Sequence, residues 1–158
     1  MVDFSTFCYD LLMADDRLRS SVLAQDVNFL LARANAVSLA AGNAALADFG
    51  LKVRSYAVLA LAADDTRPTQ RDLSSYLRLD PSQVVALVDD LQSRGLITRR
   101  SDPADRRANI VVATDEGRAV FARAQAAVHD AERDAHGTIT DAEREQLTRL
   151  LRRIAYAD

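Results

Sequence analysis

Residues 99–107, Arg-Arg-Ser-Asp-Pro-Ala-Asp-Arg-Arg, place four arginines and two aspartates in nine positions. Guanidinium groups at that density suit the binding of a polyanion through charge-assisted hydrogen bonds. A solvated surface turn is the competing reading of any such charge run. The flanking residues bear on the choice. Gly-Leu-Ile-Thr (95–98) reads as a short strand, and Asn-Ile-Val-Val-Ala-Thr (109–114) reads as a second one, rich in β-branched residues. Ser-Asp-Pro-Ala-Asp (101–105) between them is a run of turn formers. The pattern predicts a β-hairpin whose tip carries the arginines.

Other chemistry is poorly served. The sequence has no glycine-rich phosphate loop and no nucleophile elbow, and its acids are scattered at spacings typical of exposed helical faces. No enzyme activity and no cofactor are expected. His129 and His136 stand seven residues apart with Glu132 between them, which is either a weak metal site or, more commonly, a pair of surface histidines. We expect no metal. The single cysteine, Cys8, rules out an intramolecular disulfide and suits a reducing compartment. It is read as a small apolar residue or as a redox sensor.

The elements around the hairpin follow from periodicity and caps. Phe4, Phe7, Leu11, Leu12 and Leu18 suggest a short amphipathic helix over 4–18, and a long helix is expected from about 21 to 47. Asp48 and Gly50 end it, and a further helix covers 51–63. Thr69 followed by Asp72 resembles a capping box that opens a short helix through Leu77. Asp80 as N-cap, Pro81 at the first helical position and Gln83 then start another, whose Val84, Leu87, Val88 and Leu91 form a core stripe. Gly95 ends it. Helices over 115–136 and 140–157 complete the chain, the last opening on Thr140 and Glu143. Two short helices around a tight turn, followed by a hairpin, are the order of a winged helix-turn-helix. The expected fold is mostly α with a small β-wing, a winged helix-turn-helix between long N- and C-terminal dimerisation helices. Its expected parts are an N-terminal extension and dimerisation helix (1–50), a DNA-binding lobe (51–113) and C-terminal dimerisation helices (114–158).

These residues resemble the MarR (multiple antibiotic resistance regulator) family of bacterial transcription regulators over roughly 22 to 157. The helical half of the motif is carried by Leu77, Leu79, Asp80, Pro81, Ser82, Val84, Leu87, Val88, Asp89, Leu91, Gly95, Leu96, Ile97 and Arg99. The wing half is carried by Asp105, Arg107, Thr114 and Gly117. The resemblance implies that Arg107 enters a minor groove, steadied by Asp105, and that Arg99, Arg100 and Arg106 meet phosphates. Thr69, Ser82, Gln83, Val85 and Ala86 are the remaining DNA-facing candidates, Gln83 being able to pair with an adenine and Val85 and Ala86 to touch thymine methyls. Ser82 has a second reading as helix N-terminal chemistry. Asp90 would repel a phosphate unless an arginine neutralises it. Family members commonly bind small aromatic or phenolic acids, and Phe29, Arg33, Phe49 and Tyr56 are candidates to line such a site, with core packing as their alternative role.

The whole-chain balance agrees with a localised basic face. The net charge is −3, yet residues 67–107 hold eight arginines against six acids. The expected partners are double-stranded DNA, a second copy of the chain and a small aromatic or phenolic effector. The N-terminal Met-Val-Asp-Phe-Ser-Thr-Phe-Cys-Tyr-Asp lacks a basic region ahead of an apolar run, so no secretory signal is expected. No stretch is read as reaching the roughly 20 apolar residues of a membrane helix. We therefore expect a cytoplasmic regulator, in most such cases a repressor acting on a palindromic operator. The competing function is a protein–protein adaptor that keeps the winged-helix shape without DNA binding, suggested by Asp89 and Asp90 on the recognition helix.

Overall fold

The computed structural model describes residues 18–102 and 108–156. Cys8 and the helix expected from residue 4 lie outside them. The α-helices and strands bounded within the described residues are, in order, α1 (Val27–Leu46), α2 (Val53–Ala63), α3 (Gln70–Leu77), α4 (Pro81–Ser93), β1 (Ile97–Ser101), β2 (Asn109–Ala113), α5 (Asp115–Ala135) and α6 (Asp141–Ala155). This is the mostly α, winged arrangement that the sequence leads one to expect. The chain divides into two compact units, Met1–Leu39 and Ala40–Asp158.

In the first unit a 3₁₀ turn (Val22–Gln25) precedes α1. The long helix therefore begins at Val27 and not near residue 21. The cause is local: the Asp26 carboxylate accepts from the Phe29 amide at 2.8 Å and so takes the role of an N-terminal cap. The span Val27–Phe49, 23 residues, is long and apolar enough to cross a membrane by length and composition. That corrects the expectation that no stretch qualifies. Its apolarity comes from many alanines, and Asn28, Arg33, Asn35 and Asn43 interrupt it. Helices of this composition equally suit close packing against another helix.

The second unit is built on a core of Leu46, Val58, Leu59, Leu73, Val84, Val88, Leu91, Ile97 and Val111, all buried. Helix α2 lies at its centre, touching α3, α4, α5 and β2. The strands pair antiparallel in the register Ile97 with Ala113, Arg99 with Val111 and Ser101 with Asn109. The first strand thus runs through Arg99 and Arg100 to Ser101, past the Thr98 at which the sequence pattern ends it. Pairing with β-branched partners outweighs the charge of two arginines, and the strand ends at Ser101. A bridge between Thr69 and Ile110, with the Val111 amide donating to Pro68 O at 2.8 Å, ties the start of α3 to the second strand.

Two details hold the wing on its base. Thr114 donates its hydroxyl to Gly95 O at 2.7 Å and accepts from the Gly117 amide at 3.0 Å. A Cβ at Gly117 would stand 1.9 Å from Leu96 O, so that position has room only for hydrogen. The expected caps are present. Thr69 and Asp72 exchange bonds at the start of α3, Asp80 accepts from the Ser82 amide and hydroxyl at the start of α4, and Thr140 and Glu143 do the same for α6. These hydrogen bonds hold the Asp72, Asp80 and Glu143 carboxyls below their ordinary range. Helix α6 buries no residue, and Leu147, Leu150, Leu151 and Ile154 on it are exposed. Its end meets α3 through the Tyr76 and Tyr156 hydroxyls, 2.7 Å apart, with the two rings stacked.

Two outcomes follow. Gly117→Ala should lower stability to urea by on the order of 3 kcal/mol, the upper end for an overpacked site, because the obstacle is backbone and cannot swing away. For Asp80, a folded-state pKa held below the unfolded one contributes stability above the carboxylate range and loses it as pH falls through the folded value. The melting-temperature gap between wild type and Asp80→Ala should therefore be present at neutral pH and close in acid. A gap that stays constant with pH would show that the cap works without its charge.

Candidate nucleic-acid interface

Helix α4 is the element on which an interface with DNA would rest. Its inner stripe, Val84, Val88 and Leu91, is buried, with Leu87 half-buried and packed on the core, and the opposite face is exposed. Ser82, Gln83, Val85, Ala86, Asp89 and Asp90 share that outer face at helical spacing and are all exposed. Val85 is 43% exposed, an apolar side chain for which the fold of this lobe has no use. Ser82 gives its hydroxyl hydrogen to Asp80 at 2.5 Å, so helix-start chemistry occupies its donor and leaves only its lone pairs to a ligand.

Both acids on this face are compensated. Asp90 has the Arg94 guanidinium at 3.6 Å, and Asp89 is paired with Arg99. The condition under which Asp90 would not repel a phosphate is met by an arginine four residues along the same helix. Arg94 does more. Its two terminal nitrogens donate to Gly50 O and Phe49 O, each at 2.8 Å, where Gly50 turns the chain with φ of +61°. The far end of α4 is thereby bound to the turn that follows α1. Arg94 escaped the sequence reading. The spacing of Asp90 and Arg94 was visible as an i, i+4 pair, but its carbonyl partners lie more than forty positions back in the chain.

The wing arginines separate. Arg99 and Arg100 are adjacent in β1 and so point to opposite faces of the ribbon. Arg99 turns towards the helices, donating to Gln70 Oε1 at 3.1 Å, to Gln92 Oε1 at 2.7 Å and to Asp89. Arg100 is exposed and lines a cavity of about 310 Å³ with Arg67, Arg118, Asp64 and Asp65. Asp105, Arg106 and Arg107 lie outside the described residues. Thr69 sits at the head of α3 with its hydroxyl committed to Asp72.

The four effector candidates fall into two pairs. Phe29 and Arg33 line one cavity of about 380 Å³ in the first unit, together with Leu18, Leu23 and Leu30, a size that suits a small molecule. Phe49 and Tyr56 belong to the second unit. Phe49 packs on its core, and the half-buried Tyr56 ring stacks on Phe121 with centroids 5.7 Å apart. Burial, with Glu132 adding to it, pushes the Tyr56 phenol pKa up. His136 Nδ1 stands 3.9 Å from Glu132 Oε1, and among the described residues no three His, Cys, Asp or Glu side chains are grouped to hold a metal ion.

Known proteins bear on this geometry. Residues 49–108 match the sequence pattern of the MarR family. A transcriptional regulator of that family from Rhodococcus sp. RHA1 is 41% identical in sequence and superposes with a TM-score of 0.82 over 88% of this chain and 99% of that one. CouR from Rhodococcus jostii RHA1, solved bound to p-coumaroyl-CoA, is also 41% identical, with a TM-score of 0.80 over 88% of this chain and 98% of its own. A curated relative, the transcriptional regulatory protein proposed for the hcr operon of Thauera aromatica, is 33% identical over 103 residues. That match covers 65% of this chain and 62% of the relative, so the chain accounts for less than two thirds of the relative's length. Members of the family are transcriptional regulators and not enzymes. By sequence motif, fold and two solved structures of high identity, the chain belongs to the MarR family.

Proposed function

We propose that the chain is a ligand-responsive transcription factor of the cytoplasm, most simply a repressor, that binds a palindromic operator as a homodimer. The observation that carries this reading is the outer face of α4, which is exposed, holds Gln83, Val85 and Ala86, and has both of its acids compensated by arginine. Such a face fits a major groove, where a glutamine reads adenine and small apolar groups meet thymine methyls. Arg100, Arg106, Arg107 and the Asp105 beside them are assigned to the backbone and to the minor groove by the wing motif. The adaptor reading was suggested by Asp89 and Asp90 on this helix, and their pairing with Arg99 and Arg94 favours the DNA-binding reading over it.

Exposed apolar side chains support the dimer. Val27, Leu30 and Val37 on α1, and Leu147, Leu150 and Ile154 on α6, would leave water on association. An effector site is supported by the cavity at Phe29 and Arg33, apolar with a guanidinium at its wall. That chemistry fits an aromatic acid or an aromatic acyl thioester, and CouR is a relative that holds one of the latter.

The test is fluorescence anisotropy with duplex DNA from upstream of the protein's own gene. Wild type should bind, and its affinity should fall steeply with salt as phosphate neutralisation releases counterions. Gln83→Ala and Arg107→Ala should each lose about 1–3 kcal/mol on this DNA. Variants that bind like wild type with an unchanged melting temperature would contradict the proposed interface.

A further inference from the structure

Arg99 occupies a place that its neighbour does not. It is a strand residue whose guanidinium bridges the wing to both helices of the helix-turn-helix. One nitrogen donates to Gln70 at the start of α3, and the other two donate to Gln92 and Asp89 on α4. Its side chain is 26% exposed, against 60% for Asp89. We propose that Arg99 is a positioning residue that fixes the angle of the wing to the recognition helix, and that it binds no phosphate itself. The proposal rests on the DNA-binding reading given above and adds the device that sets the geometry of that site.

The argument is one of donor capacity and place. A guanidinium is a planar fork whose three nitrogens point along fixed directions. Here three of its five N–H groups already have acceptors, one on each nitrogen, and the acceptors come from two helices at three positions of the chain. These bonds hold the fork against the helices with its side chain only 26% exposed, and a phosphate could reach only the two N–H groups that remain. An exposed ion pair contributes little to stability by itself. A three-way bridge contributes direction: it removes the freedom of a two-stranded ribbon to swing about its base, and interface geometry set in advance saves the ordering cost on binding. Asp89, on the outer face of α4, is then the acceptor that aims Arg99 and is not a stray acid.

Charge alone predicts the opposite of this. Removing Asp89 takes a negative charge off the DNA-facing side and should strengthen binding. Replacing Arg99 by lysine keeps the positive charge and should preserve a phosphate contact. The bridge predicts weaker binding in both cases, because the Asp89→Ala fork loses an anchor and a lysine ammonium cannot span three separated acceptors.

The experiment measures wild type, Arg99→Lys, Arg99→Gln, Asp89→Ala and the Arg99→Lys/Asp89→Ala double variant by anisotropy on the same upstream DNA over a salt series, with melting temperatures alongside. Arg99→Lys and Asp89→Ala should each bind about ten-fold more weakly, and the double variant no more weakly than either, since both break one bridge. The slope of log affinity against log salt should stay that of wild type. Wild-type affinity in Arg99→Lys with tighter binding in Asp89→Ala would overturn the proposal, as would a slope reduced by about 0.9 in Arg99→Gln, the mark of one lost phosphate contact. Amide hydrogen exchange of the free proteins is the second readout. Faster exchange across Ile97–Ser101 and Asn109–Ala113 in both variants supports the bridge, and unchanged exchange overturns it. Should wild type fail to bind the DNA, the function reading falls and exchange alone decides the role of Arg99.

Discussion

The recognition helix is held by its ends and its inner stripe, and this leaves its outer face exposed. Asp80 accepts from Ser82 at the first turn, Arg94 reaches from the last turn to the carbonyls of Phe49 and Gly50, and Val84, Val88 and Leu91 pin the middle to the core. The inner stripe faces away from the surface that a DNA groove would meet. The left-handed Gly50 matters for that reason: it turns its carbonyl and that of Phe49 to the arginine, and a side chain in its place would stand 3.3 Å from the guanidinium. The wing depends on the same helix, because β1 leaves it at Gly95 and Arg99 returns to it through Asp89 and Gln92.

What the sequence disclosed and what it hid divide by distance along the chain. The caps of α3, α4 and α6 join residues two or three positions apart, and all three were legible from residue types alone. The strand-to-helix junction at Thr114 and Gly117 was also present as a motif, although its physical reason, the approach to Leu96 O, is visible only in three dimensions. The partners of Arg94 and Arg99 were not legible, because Gly50 and Gln70 lie 44 and 29 residues away from them. For the same reason Arg99 looked like another member of a basic loop: strand pairing, set by Val111 across the ribbon, decides which way it faces. The start of α1 was misplaced because Asp26 offered a cap inside a stretch whose apolar spacing runs straight through it.

The proposed homodimer gives the terminal helices a purpose that the single chain does not. Helix α6 has a strongly two-sided sequence, yet buries nothing, and Leu150 and Ile154 remain nearly half exposed or more. In the first unit, Val27, Leu30 and Val37 are similarly uncovered on a helix rich in alanine, the small residue that lets helices approach closely. Burying apolar area of this kind is the ordinary driving force of association. A two-fold dimer would also place two copies of α4 side by side, which is how a protein of this class acquires reach over more than one turn of DNA.

The most direct test of the account is hydroxyl-radical footprinting of the wild-type protein on its own upstream DNA. The account predicts two protected segments related by two-fold symmetry, with centres about 10 base pairs or a small multiple of that apart and protection extending into the flanking minor grooves. A single asymmetric protected segment, or uniform protection without phase, would contradict it.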